Sequence, residues 1–392
     1  ILIGLVGSEM CIRDRYIYIL YCNEDKPMKR IGIIAAAILV LVIAGILVIN
    51  GRKIDTDVTR EHTKVGVILN GVKNDRSWSQ SHYEGMEQCA AKLNLDVEYR
   101  EKVPNDETSI DVMDELIDNG CKIIICDSYS YEEWELEVAK EHPEVYFLHA
   151  SGTKQNKNMA TFFGRMYQIR YLCGIIAGMQ TDTDEIGYVA AFPIEEVNRG
   201  INAFTLGVKS VNPQAKVYVS WSMSWEDDEA VADAAYRLLD GRNIDVVTTH
   251  SDSLKAIDIA SGRGLWTIGY NYDNSDKYGD KYLAAAVWNW GDFYEQRILE
   301  CLQGRFQGVN YWESMDTGIV KLTKLSDRVK PGIRYAVETA RAKLMKGGFD
   351  VFYEPVYDNN GELRINEGEN ISDKTMMYDF KWYVEGVETV GQ

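Results

Sequence analysis

Carboxylate, amide and indole side chains occur where several short apolar runs of this sequence end. Asn74, Asp75 and Trp78 follow the run at 64–70, and Trp225 follows a later run. A carboxylate beside a large aromatic surface suits a flat ring with N–H donors, because the ring stacks on the indole while the carboxylate accepts its hydrogen bonds. The same residues also fit ordinary roles, with Asp75 capping a helix and Trp78 covering the core, and the residues alone favour neither interpretation.

Three further apolar runs end in residues of the same kinds. His250 and Asp252 follow the first run, Asn271 follows the second, and Trp288 ends the third. Because the sequence has no nucleophile elbow, we expect His250 to be a hydrogen-bonding group rather than a general base, and Asp252 to be a helix cap or a ligand contact. Histidines at metal-ligand spacing and a glycine-rich phosphate loop are both missing from the sequence, so we predict neither a metal nor a cofactor.

Alternating strands and helices must position these residues. Four βα units are predicted before residue 150, and a second set of strands and helices follows from residue 186. Short apolar strands separated by helices predict parallel sheets with helices on both faces, and such sheets bind ligands beyond the carboxyl ends of their strands. We therefore predict an α/β protein with two doubly wound parallel-sheet lobes joined by a hinge. The lobes are expected at 64–180 plus about 285–315 and at 181–284 plus about 316–392.

The composition of the 392-residue chain limits its partners. A formal net charge of -18 and a pI near 4.8 argue against nucleic acid, since phosphate neutralisation needs clustered Lys and Arg. Seven cysteines without a CxxC pair predict buried free thiols rather than a disulfide framework, with a Cys121–Cys126 disulfide as the alternative.

The amino-terminal part of the chain has the pattern of a membrane anchor. After Met28 and two basic residues, an uncharged stretch at 31–49 is long enough, at roughly 28 Å, to cross a bilayer core. We predict an uncleaved signal anchor at 28–50 that places the rest of the chain at the extracytoplasmic face of the cell membrane, with a cleaved signal as the alternative. Residues 51–63 are expected to be a linker, and residues 1–27 a gene-model artefact.

From residue 64 to about 390, the sequence resembles the basic membrane protein (BMP) family of ABC-importer substrate-binding proteins, which includes purine nucleoside receptors. The motifs that carry the resemblance occur in the family's order. They are 74–80 with Gly85, Tyr171-Leu172-Cys173-Gly174 with Ala177-Gly178, 200–207, Trp225-Glu226-Asp227, 250–253, Ile268-Gly269-Tyr270-Asn271, 287–291 and 382–387.

The resemblance implies a type I periplasmic-binding-protein fold and delivery of a purine nucleobase or nucleoside to an ABC permease and its ATPase. It implies that Asp75, with Asn74 beside it, accepts hydrogen bonds from the base and that Trp78 and Trp225 stack on it. Nucleoside-binding members use a Gly-x-Asp carboxylate and a Lys for ribose, and these positions are Asn271 and Trp288 here. The resemblance therefore favours a free nucleobase such as adenine, with Asn271 and His250 orienting it.

The resulting prediction is a monomeric, non-enzymatic receptor tethered to the membrane. Two alternatives belong to other functional classes: a membrane-anchored sensory ectodomain, and a nucleoside-cleaving hydrolase that uses Asp75 or Asp252. Within the receptor class, a sugar or another non-purine ligand is the remaining alternative.

Overall fold

The structure of the protein is a computed structural model that describes residues 63–391, except Gly348 and Glu354. The signal anchor, the linker up to residue 62 and the suspected artefact at 1–27 lie outside the described residues. Among the described residues, no helix is both long enough and apolar enough to cross a membrane.

The first lobe is built on a six-stranded sheet in the order β11-β5-β4-β3-β1-β2, in which all neighbours are parallel. Its strands β3 and β5 are buried along their whole length, as expected when helices cover both faces. The strands are β1 (Lys64–Ile68), β2 (Asp96–Arg100), β3 (Ile123–Cys126), β4 (Tyr146–Ala150), β5 (Met159–Gly164) and β11 (Asn310–Glu313). The helices are α1 (Trp78–Leu93), α2 (Thr108–Asp118), α3 (Glu132–Glu141) and α9 (Trp290–Leu302), which packs on α1.

The second lobe is built on a seven-stranded sheet in the order β12-β10-β9-β8-β6-β7-β15, which is parallel except for the β10–β12 pair. The strands are β6 (Glu185–Ala190), β7 (Lys216–Trp221), β8 (Val246–His250), β9 (Trp266–Asn271), β10 (Tyr282–Trp288), β12 (Val320–Leu322) and β15 (Val387–Val390). The helices are α4 (Met166–Gln180), α5 (Glu195–Val211), α6 (Asp228–Leu239), α7 (Lys255–Gly262), α8 (Ser275–Tyr278) and α10 (Ile333–Met345). The remaining strands and α-helix of the described residues are a short hairpin of β13 (Val356–Tyr357) and β14 (Leu363–Ile365) and the helix α11 (Asp373–Tyr378).

The helices α4 and α5 pack closely because each has a glycine that faces the backbone of the other helix. A Cβ atom on Gly174 would lie 1.9 Å from the carbonyl oxygen of Phe204, and one on Gly207 would lie 2.1 Å from that of Tyr171. Only glycine permits this approach. The predicted limit of lobe 1 at residue 180 includes α4, whereas α4 packs on α5, β10 and β12 of the second lobe.

The chain passes between the two sheets three times, after Gly164, after Trp288 and after Glu313. These crossings form the hinge. The prediction of two doubly wound parallel-sheet lobes is confirmed, whereas the exact lobe limits stay a proposal; β10, for example, lies entirely in the second sheet although the predicted limit cut it at about 285. The five cysteines of the described part of the chain are buried free thiols, so the alternative of a Cys121–Cys126 disulfide is not found.

Candidate functional site

A cavity of about 230 Å³ lies between the lobes, at the carboxyl ends of strands from both sheets. This central cavity adjoins a wider space of about 710 Å³, and the two share the lining residues Asn70, Trp78, Asn105, Glu226 and Asp252. The walls of the central cavity are aromatic and its remaining lining is polar or acidic. The aromatic walls are Trp78, Tyr129 and Phe163 from the first lobe and Phe192, Trp225 and Tyr270 from the second.

Trp78 forms part of the wall in the first lobe. It begins α1, and its indole Nε1 donates a hydrogen bond of 2.6 Å to the backbone carbonyl of Asp127. Its ring meets Trp288 and Trp290 edge-on, at centroid distances of 5.5 and 5.8 Å. The indole is therefore held by both a hydrogen bond and edge-to-face packing, which leaves it half-buried beside the cavity.

Trp225 forms part of the opposite wall, in the segment between β7 and α6. Its backbone carbonyl accepts hydrogen bonds from the N–H groups of Asp252 and Ser253, at 2.7 and 3.1 Å. Its ring lies 5.9 Å from that of Phe192. The structure thus brings Trp78 and Trp225 to one cavity from opposite lobes.

Asp75 caps a helix, which is the ordinary role that the sequence left open. Its carboxylate accepts hydrogen bonds from the backbone N–H groups of Ser77, Ser79 and Gln80, at 2.7 to 3.0 Å. Burial raises its pKa despite these three donors. Asp75 lines the wider space and not the central cavity, and Asn74 is exposed and lines neither.

Asp127 and Asp252, two carboxyl groups with raised pKa values, line the central cavity. Asp127 follows β3 directly and accepts hydrogen bonds from the N–H of Asn70 and the hydroxyl of Ser79, both at 2.9 Å. Burial raises its pKa to about 8, and the nearby charges of Asp75 and Glu226 add to this shift. Asp252 is half-buried, and its partial removal from water together with the charge of Asp75 raises its pKa well above the usual range.

His250 lies behind the wall of the second lobe. It is buried, its Nδ1 is 2.9 Å from the hydroxyl of Tyr188, and its ring packs edge-on against Tyr270. Burial and the nearby charge of Arg170 lower its pKa to about 4. His250 lines neither the central cavity nor the wider space, but it lines a small space that shares Phe163 and Glu196 with the central cavity, so its role in orienting the ligand stays a prediction.

Asn271 and Trp288 also lie away from the cavity, where they join the two lobes. The amide of Asn271 donates to Ser77 Oγ of the first lobe at 3.1 Å and to Asp252 at 2.7 Å, while its oxygen accepts from Trp288 Nε1 at 2.9 Å. Trp288 stacks on Trp290 at 4.6 Å with nearly parallel rings. These two residues therefore build the hinge side of the cleft.

Several residues that line the cavity were not predicted from the sequence, most notably Asp127 and Glu196. The rule that located Asp75 also applies to Asp127, since it follows the apolar run Ile123–Cys126. Glu196 is in the first turn of α5, where the helix dipole favours a carboxylate. Phe163 was missed because β5 was not predicted. Among the described residues, no group of three His, Cys, Asp or Glu side chains is placed to hold a metal ion.

Comparison with known proteins agrees with this architecture. Residues 62–346 match the family model described as ABC transporter substrate-binding protein PnrA-like. A purine-binding protein of Brucella abortus is 32% identical over 330 residues, which are 84% of this chain and 93% of that protein. A Haloferax volcanii protein with the provisional name of ABC transporter glucose-binding protein is 33% identical over 80% of this chain and 77% of its own length.

A solved structure shows the same fold. The ABC transporter solute-binding protein of Conexibacter woesei superposes with a TM-score of 0.63 at 20% identity, covering 74% of this chain and 98% of that one. The fold is the predicted type I periplasmic-binding-protein fold. With a family model that matches well over half of the sequence, the chain belongs to the PnrA-like family of ABC transporter substrate-binding proteins.

Proposed function

We propose that the chain binds a purine nucleobase such as adenine, or a nucleoside, in the cleft between its lobes and delivers it to an ABC permease. The observation that carries this proposal is that Trp78 and Trp225 line one cavity from opposite lobes. A planar ring between two indoles gains roughly 0.5–1.5 kcal/mol per stacked pair beyond the burial of its apolar area. Carboxyl groups at the edges of such a ring accept its N–H hydrogen bonds.

The residues that replace the ribose contacts favour a free base over a nucleoside. Asn271 and Trp288 are bonded to each other and to neighbouring residues, and neither reaches the central cavity. A cavity of about 230 Å³ is also slightly smaller than the range of about 300–1,000 Å³ that is common for drug-sized ligands. Adenine is therefore the ligand that we favour within the purine class.

The geometry offers little to an enzyme that cleaves nucleosides. Asp75 is occupied by three backbone donors, and His250 is buried away from the cavity. Asp252 lines the cavity, but its carboxylate already accepts a hydrogen bond of 2.7 Å from the amide of Asn271. We therefore propose a binding protein without catalytic activity.

Transport would use closure of the lobes as its signal. The two sheets are joined by three crossings, which is the connectivity of a hinge. A ligand that contacts both lobes stabilises the closed form by its differential affinity, and the closed form presents a different surface to the permease. The same closure would serve a sensory ectodomain, so we propose import at the extracytoplasmic face of the membrane on the basis of the family.

A sugar is the second candidate, because a relative of equal similarity is named for glucose binding. The C–H faces of a pyranose also pack on indoles, and carboxylates also accept sugar hydroxyls. Calorimetric titration of the purified full-length chain with adenine, guanosine and glucose decides between them. We expect one adenine per chain and no heat from glucose; binding of glucose without adenine would reject the purine proposal.

A further inference from the structure

A row of polar contacts joins the two lobes outside the ligand cavities. On the first lobe the row consists of Arg76, in the loop before α1, and Glu84, on α1. On the second lobe it consists of Tyr272, Asn274 and Asp276, which follow β9. Among the described residues that line the central cavity or the wider space, none belongs to this row. A ligand in those spaces therefore leaves the contacts of the row free to form.

Arg76 and Asn274 exchange hydrogen bonds from one lobe to the other. Arg76 Nε donates to Asn274 Oδ1 at 2.8 Å, and Asn274 Nδ2 donates to the backbone carbonyl of Arg76 at 3.0 Å. Asn274 is only 1% exposed, and its backbone N–H donates to the hydroxyl of Tyr282 at 3.3 Å, which fixes it within the second lobe. Because buried polar groups need hydrogen-bond partners, separation of the lobes would remove the contacts that the first lobe gives this amide.

Two further contacts lie on either side of this pair. The guanidinium of Arg76 donates to Asp276, but these side chains are 37% and 68% exposed, so the ion pair alone contributes little. The hydroxyl of Tyr272 donates to Glu84 Oε1 at 2.8 Å. Gln80 joins the two ends of the row, since its side chain accepts from the N–H of Arg76 at 2.9 Å and donates to Glu84 at 2.8 Å. The contacts between the lobes thus belong to one connected network.

We propose that Arg76, Glu84, Tyr272, Asn274 and Asp276 form an interlobe latch, which holds the two lobes together when no ligand is bound. The latch acts through directional contacts between the lobes that do not depend on what occupies the cleft. A protein that is already closed in part needs less of the ligand's binding energy to close, so its apparent affinity is higher. The latch therefore raises the affinity for any ligand that requires closed lobes.

Removal of the Arg76 side chain tests the latch. Arg76 has a φ of 58°, a left-handed conformation that glycine adopts freely, so Arg76→Gly does not strain the backbone. Met223→Gly is the matched control, because Met223 has a φ of 55° and is 58% exposed. Pulsed electron–electron double resonance on the full-length chain without ligand measures the distance between the lobes. Nitroxides attached to p-acetylphenylalanine at the exposed positions Glu107 and Glu229, one on each lobe, leave the cysteines unlabelled.

The unmodified protein and Met223→Gly should show mainly one short distance. In Arg76→Gly the ratio of a longer distance to the short one should rise about threefold or more, as expected for the loss of hydrogen bonds between the lobes. Asn274→Ala should act in the same direction. The double variant should show less than the product of the two single effects, because both changes break the same pair.

The proposal is overturned if Arg76→Gly leaves the distances unchanged or changes them no more than Met223→Gly does. It is also overturned if the unmodified protein without ligand is found mainly at the longer distance. Since no ligand is present, failure of adenine to bind would reject the proposed function and leave this test of the latch intact.

Discussion

The indole Nε1 of Trp78 donates a hydrogen bond of 2.6 Å to the backbone carbonyl of Asp127, the residue whose side chain lines the same cavity. One contact therefore fixes both an aromatic wall and an acidic edge of the cleft. Because Trp78 begins α1 and Asp127 directly follows the β3 strand, the bond also ties the first helix of the lobe to its central strands.

Asp127→Asn is expected to stabilise the free protein, increasingly so at alkaline pH. Burial raises the pKa of Asp127 to about 8, whereas an unfolded chain has an Asp pKa of about 3.9. Between these values the folded state holds a proton that the unfolded state has lost, so stability falls as pH rises towards 8. Asparagine keeps an acceptor for the N–H of Asn70 and cannot ionise.

Melting temperatures at pH 5 and pH 8.5 check this prediction. The melting temperature of the Asp127→Asn variant should exceed that of the unmodified protein by more at pH 8.5 than at pH 5. The difference should grow by about 2–4 °C for each kcal/mol of unfolding free energy gained. Asp111→Asn, an exposed change in the same lobe, should show no such growth. A difference in melting temperature that is the same at both pH values would mean that Asp127 is ionised in the folded protein.

Asn271→Gly should weaken the connection between the lobes. Asn271 has a φ of 66°, a left-handed conformation that glycine adopts freely, so the change removes the side chain without straining the backbone. The change removes the hydrogen-bond partner of Trp288 Nε1 and of the Asp252 carboxylate, and it should lower the free energy of unfolding by roughly 1–3 kcal/mol. Urea unfolding measures the loss. Met223→Gly is the control, because Met223 is also left-handed, with a φ of 55°, and is 58% exposed, so we expect a change within about 0.5 kcal/mol.

Gly164→Ala should disturb the hinge. A Cβ atom at this crossing would lie 2.5 Å from Val320 Cγ1 and 2.8 Å from Trp288 Cζ3, so these side chains must move. Overpacking of this kind costs about 1–3 kcal/mol. Gly262→Ala, where a Cβ atom meets open space at an ordinary φ, should be neutral or slightly stabilising. Equal unfolding free energies for the two variants would show that the hinge adapts.

The sequence predicted most of the fold because its strands are short, apolar and regularly separated by helices. The sequence pattern predicts helices at 132–141 and 195–211 and a strand at 216–221, and α3, α5 and β7 have these limits in the structure. The β5 and β11 strands were not predicted. β11 is the partly exposed run Asn310–Glu313, and it forms a strand because it pairs with β5 at the edge of the sheet. The local sequence pattern does not indicate pairing between strands that are far apart in the sequence.

The site was predictable only in part. Trp78, Trp225 and Asp252 were expected in the cleft and line it, because the strand-end rule depends on topology alone. Asp75 illustrates the limit, since a carboxylate at that position fits a helix cap and a ligand contact equally well until its oxygens are located. Trp288 is buried by stacking on Trp290 at the hinge, a contact that no spacing in the sequence indicates.

Adenine affinity of the Trp78→Ala and Trp225→Ala variants tests the central claim most directly. Calorimetry should show about a tenfold or greater loss for each variant, because each removes one stacking face of the ring. Tyr335→Ala, which removes an aromatic side chain that is 79% exposed and lines neither cavity, should bind as the unmodified protein does. Unchanged affinity in both tryptophan variants would contradict the account.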